Sequence, residues 1–135
     1  METIKKLVCV AVILLAASCD KNYNVLGTWE STTITKAKSG KEYHSIIVET
    51  FKENGEWEKR TSQMGLINDI ETGTYTVVGD SIFLQRTKLV VNGREWPNES
   101  GSNIHRKIVK ADDEHLIYIQ YDDTTKLNKA TTKEK

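Results

Sequence analysis

The chain has 135 residues, 19 basic and 19 acidic side chains, two cysteines and one proline. That length accommodates one domain, for which about 100–200 residues is usual, and the balanced charge speaks against nucleic-acid binding, which draws on a basic excess to neutralise phosphates. Apolar residues are unevenly spread, 13 of them in the first 18 positions and 38 in the following 117, so the body of the chain has a thin core.

Lys5 and Lys6 precede eleven uninterrupted apolar or small residues, Leu7 to Ala17. A membrane-crossing helix needs about 20 such residues, so this run fits the hydrophobic region of a secretory signal. It closes on Leu15-Ala16-Ala17-Ser18-Cys19, small residues leading into a cysteine. This segment resembles the lipobox of bacterial lipoproteins. The resemblance implies cleavage after Ser18, lipid attachment at the Cys19 thiol, further acylation (palmitate) of the new N-terminus, and a lipid-anchored place in the bacterial cell envelope, at the outer membrane. An ordinary signal cut near Ser18, leaving a free thiol, is the alternative. Cys9 lies in the part removed, so Cys19 is then a lone cysteine and no intrachain disulfide is expected. Residues 1–18 are thus expected to be a lipoprotein signal peptide and residues 19–25 a lipidated tether. The remaining chain carries 17 basic and 18 acidic residues, so attachment to a membrane falls to the acyl chains alone.

From Leu26 onward the sequence reads as successive hairpins. Thr, Val and Ile make up 31 of the 117 residues from Cys19, and β-branched side chains suit a pleated backbone. Asn54-Gly55, Gly79-Asp80 and Asn92-Gly93 each stand between apolar-alternating runs, where a tight turn needs positive φ. A fourth turn, Ala111-Asp112-Asp113-Glu114, joins Ile104–Lys110 to His115–Tyr121. Short connections leave no room for crossover helices, so the expected fold class is all-β, an antiparallel up-and-down meander. Within it Leu116, Tyr118 and Gln120 oppose Ile117, Ile119 and Tyr121. Ile104 and Ile108 share a face with Arg106 and Lys110, which predicts a strand that buries little. Arg60–Glu71 breaks the pattern and reads as a short helix or lid. Residues 122–135 read as a polar C-terminal tail with two apolar residues, within which Thr124–Lys129 is the only candidate for a weak final strand.

Leu26-Gly27-Thr28-Trp29, Phe51 to Trp57 through Asn54-Gly55, and Gly73-Thr74-Tyr75-Thr76-Val77 into Gly79-Asp80-Ser81-Ile82 together resemble the small lipocalin-like domains of bacterial lipoproteins. The resemblance implies a β-barrel of seven to eight strands over residues 26–121, with Trp29 packed at its closed end. In lipocalins an arginine near the chain end stacks on that tryptophan. No arginine follows Arg106 here, which leaves closure of the barrel open.

Trp57, Tyr75 and Trp96 are the candidate ligand-binding residues, with Trp29 and Phe51 as further aromatics. Aromatic side chains line binding sites and small-barrel cores alike, and a thin core favours the second use. Trp96 is the exception, beside Pro97 and before the polar run Asn98–Asn103, where an aromatic at a barrel mouth suits a sugar or a lipid tail. His44, His105 and His115 have no metal-ligand spacing, and the Asp112-Asp113-Glu114 and Asp122-Asp123 clusters lack a calcium-loop pattern and read as turn residues. Asn98-Glu99-Ser100 matches an N-glycosylation acceptor, idle in a bacterial envelope protein. No nucleophile elbow, Cys–His pair or phosphate-binding glycine loop is present. The expectation is therefore a non-catalytic binding module for a small apolar or glycan ligand, with no cofactor, no metal and no nucleic-acid partner. The alternative is an interaction protein that docks an envelope partner through its surface or an open strand edge.

Overall fold

The computed structural model describes residues 23–64, 67–97 and 102–131. The expected signal segment, Cys19 and the Asn98-Glu99-Ser100 match lie outside the described residues. Nine strands form, in chain order β1 Gly27–Lys36, β2 Glu42–Phe51, β3 Glu56–Gln63, β4 Ile67–Val78, β5 Ser81–Val91, β6 Arg94–Trp96, β7 Asn103–Ala111, β8 His115–Gln120 and β9 Asp123–Lys129. Every pairing is antiparallel, and strands β1, β2, β3, β4, β5, β7, β8 and β9 close on themselves as an eight-stranded barrel, with β6 added beside β5.

Turn chemistry sets the hairpins. Gly55, Gly79 and the Asn92-Gly93 pair hold positive φ at the three sites expected from sequence. In the fourth turn Asp112 Oδ1 accepts from the amides of Glu114 at 2.9 Å and His115 at 2.7 Å. These bonds hold its carboxyl below the usual carboxylate range.

Three sequence expectations are corrected. Arg60–Glu71 forms no lid: β3 runs to Gln63 and β4 starts at Ile67, paired over Gln63↔Ile67 to Lys59↔Glu71. Residues 122–135 are not simply a tail, because β9 lies between β8 and β1 and completes the closure. Its sequence signal is weak because Tyr121 and Asp122 make the preceding turn at φ 49° and 66° without a glycine, and because Leu127 is its one fully buried residue. The strand at Ile104 also buries more than its pattern suggests: Ile104, Arg106 and Ile108 all point inward, and a bulge between Ile108 and Lys110 turns Lys110 out to solvent.

The barrel is sealed at one end and flared at the other. At the sealed end Val25, Trp29, Phe51, Trp57, Ile82, Leu84, Ile104, Ile108, Leu116, Tyr118 and Leu127 pack as one cluster, the filling expected of eight strands. Trp29 Nε1 donates to the Val25 carbonyl at 2.8 Å. The Lys129 ammonium stands 4.3 Å from the Trp29 ring centre while donating to the Leu26 carbonyl. A lysine on β9 thus packs its charge over this tryptophan, which no arginine reaches from the chain end. Among the described residues, β1 beyond Glu30 keeps only β2 as a neighbour, and beyond Gln85, β5 is paired by β6 instead of β7. The upper halves of β1 to β6 therefore form an open six-stranded sheet.

Candidate functional site

Among the described residues, the sealed interior holds one charged pair. Glu49 and Arg106 are both buried to 1% exposure or less. Glu49 Oε1 accepts from Arg106 Nη1 and from Trp57 Nε1, and its Oε2 accepts from the Tyr118 hydroxyl at 3.0 Å. Arg106 Nε donates to Gln120 Oε1 at 2.7 Å, and the guanidinium lies 4.1 Å from the Tyr118 ring centre. Burial, with the Glu49 charge second, pushes the Tyr118 phenol well above its ordinary range. Both Glu49 oxygens, the Trp57 and Tyr118 donors and Arg106 Nε and Nη1 are bonded within this cluster or to Gln120, so it organises the core and leaves little to offer a ligand.

The three aromatics singled out from sequence are not brought together. Trp57 is buried, with its N–H committed to Glu49 at 2.7 Å. Tyr75 packs edge-on against Phe51 at 5.0 Å and donates its hydroxyl to the Lys52 carbonyl at 2.7 Å. Burial raises its phenol pKa, with Glu53 adding to the effect. Trp96 is half exposed at the end of β6, opposite Leu89 on the flared sheet. Among the described residues no three His, Cys, Asp or Glu side chains gather as a metal site.

A site that sequence reasoning missed lies on the outer wall. The register aligns two rows across β4, β5 and β7: Thr76–Phe83–His105 and Thr74–Gln85–Asn103. Partners in register share a face, and these six outward residues, with Leu84 and Ile104, line an open groove of about 330 Å³. Phe83 is 49% exposed and its ring stands 5.0 Å from that of His105, 26° from parallel. His105 Nε2 is held by the Ser81 hydroxyl at 3.0 Å. Among the described residues no Lys, Arg, Asp or Glu lines the groove, on a chain in which 28% of residues are charged. The side chains of Thr74, Thr76, Gln85 and Asn103 have no hydrogen-bond partner among the described residues.

Local chain geometry produces the hollow. Thr72 pairs Lys88 but Gly73 pairs Arg86, so Thr87 is an extra residue on β5 and the strand bends there. The crossing is close enough that a Cβ on Gly73 would stand 1.9 Å from the Gln85 carbonyl oxygen, so only glycine fits. On the other side of this bend a second groove of about 360 Å³ runs over Lys52, Glu56, Glu58, Thr72 and Thr87, with Trp57 in its floor. The two grooves meet at Thr74. The one signal in sequence was Phe83 between Ile82 and Leu84, an aromatic set on the outward side of β5 between Ser81 and Gln85. Comparison with known proteins brings no relative to this site: no protein-family model matches the chain, and no curated protein matches it.

Proposed function

We propose that this protein is a non-catalytic binding module, held to a bacterial envelope membrane by acyl chains on Cys19, that takes a small ligand in the outer groove beside Phe83 and not inside the barrel. The observation that carries the reading is the groove itself: a half-exposed aromatic among unspent amides and hydroxyls, beside an interior already filled by Trp29, Trp57, Tyr118 and the Glu49–Arg106 pair. Binding sites of this kind pair apolar surface with a few orienting polar groups, in volumes of about 300–1,000 Å³. The chain enters the barrel at the sealed end, where Val25 packs beside Trp29. A lipid on Cys19 then leaves the flared end facing away from the bilayer, with the groove on the side wall nearer the sealed end. Each acyl CH₂ contributes about 0.8 kcal/mol of membrane affinity, so several chains anchor without help from protein charge. Labelling cells with a palmitate analogue tests the anchor: Cys19→Ser is expected to abolish incorporation, and unchanged labelling would refute it. A thermal-shift screen tests the groove: ligands that raise the melting temperature lose their effect in Phe83→Ala, and shifts that survive this change would place binding elsewhere.

A second reading rests on the outer edge of β1. Among the described residues Ser31–Lys36 pairs only with β2, and Ile34 within it is 58% exposed. An unpaired edge accepts an added strand, so this edge is the surface by which the protein would dock an envelope partner. In-cell cross-linking from Thr32 tests this reading: a specific protein adduct supports it, and none argues against it.

A further inference from the structure

We infer that the ligand of the outer groove is a neutral saccharide of at least two units, one ring stacked on Phe83 and the next crossing Thr74 into the neighbouring groove. The inference rests on the groove being the binding site and adds the chemical class that fits it. A pyranose ring has an apolar face of C–H groups and a rim of hydroxyls, each of which donates and accepts. Phe83 offers a flat apolar surface, fixed on a barrel strand and steadied by the adjacent His105 ring at 5.0 Å. Around it stand the amides of Gln85 and Asn103 and the hydroxyls of Thr74 and Thr76. Each of these side chains both donates and accepts, matching a hydroxyl rim and mismatching an alkyl chain, which would bury them unpaired. Among the described lining residues there is no Lys or Arg to give the pairing that a phosphate or carboxylate needs. The junction at Thr74 sets the length, because the hollow continues past the first ring over Thr72 and Thr87. Charge returns there, with Lys52 already paired to Glu56 at 3.5 Å and Glu58 to Arg60 at 3.2 Å.

The test is calorimetric titration of the mature chain, with Cys19→Ser to remove the acylation site, against maltotriose, cellotriose, chitotriose and, as the apolar probe, decanoate. At least one trisaccharide is expected to bind, its monosaccharide at least tenfold more weakly. Phe83→Ala and Gln85→Ala are expected to weaken binding at least tenfold, while Trp96→Ala leaves it unchanged. Phe83 and Gln85 point into solvent, so melting temperatures of these variants report that the barrel is intact. Decanoate binding that is lost in Phe83→Ala, with no saccharide bound, would overturn the saccharide class and leave the groove as the site. Saccharide binding that ignores Phe83→Ala and Gln85→Ala, or the binding of no probe, would overturn both.

Discussion

Arg106→Met is expected to cost about 3–5 kcal/mol of stability, the usual price of removing one partner from a buried ion pair. The structure places this substitution at the upper end. Glu49 is fully inaccessible, and losing the guanidinium leaves its carboxylate with two neutral donors, Trp57 Nε1 and the Tyr118 hydroxyl. Gln120 Oε1 loses its donor as well. A domain of this size has about 5–15 kcal/mol in total, and a urea slope of about 2 kcal/mol/M turns the loss into a midpoint lowered by about 2 M. The companion variant Glu49→Gln/Arg106→Met removes the stranded charge while keeping an amide oxygen for Trp57. It is expected to be more stable than Arg106→Met alone by about 2 kcal/mol, a coupling visible in a double-mutant cycle. Urea melts followed by tryptophan fluorescence measure both. A loss below about 1 kcal/mol for Arg106→Met, or a double variant no better than the single, would refute the claim that the pair is a buried, mutually dependent unit.

Other substitutions probe closure, the bend and ionisation. Leu127→Ala is expected to cost about 2–5 kcal/mol because Leu127 is fully buried in the cluster, whereas a true tail residue would cost nothing, and chemical denaturation separates the two. Gly73→Ala sets a Cβ against the Gln85 carbonyl and is expected to cost at least about 1–3 kcal/mol while shifting the amide signals of Thr74, Gln85 and Asn103; an unperturbed spectrum would show that the bend is not as described. The Tyr118 phenol is raised by burial above its unfolded value of about 10. The stability it contributes is whole below pH of about 10 and falls as pH rises through the folded value, so wild type should lose stability above that pH faster than Tyr118→Phe does. Parallel alkaline slopes in urea melts would contradict this.

Much of the fold was legible in local chemistry. Glycine and asparagine at positive φ located three hairpin turns, and Asp112 located a fourth, because those residues satisfy a turn within a few neighbours. What escaped depended on partners distant in sequence. β9 looks like a tail because its closure rests on Leu127 in the core and Lys129 on Trp29, contacts made with strands a hundred residues away. Arg106 looks like a surface residue until Glu49 is found across the barrel. The Arg60–Glu71 stretch reads poorly as strand because Lys59, Glu71 and Arg86 face one another on the flared sheet, where polar groups replace an apolar face. For the site, Trp57 and Tyr75, ligand-binding candidates in sequence, stand in the barrel with their hydrogen-bonding atoms used internally. Phe83, Gln85, Asn103 and His105 come together only through the pairing of β5 with β4 and β7, a juxtaposition that spacing along the chain does not encode.

The most direct test of the central claim, that ligand is held on the outer wall and not within the barrel, is an amide chemical-shift map of the mature chain with and without a bound saccharide. The predicted perturbations centre on Thr74, Thr76, Phe83, Gln85, Asn103 and His105, with the indole signals of Trp29 and Trp57 unmoved. Shifts centred on those indoles and Tyr118, with the outer rows silent, would contradict it.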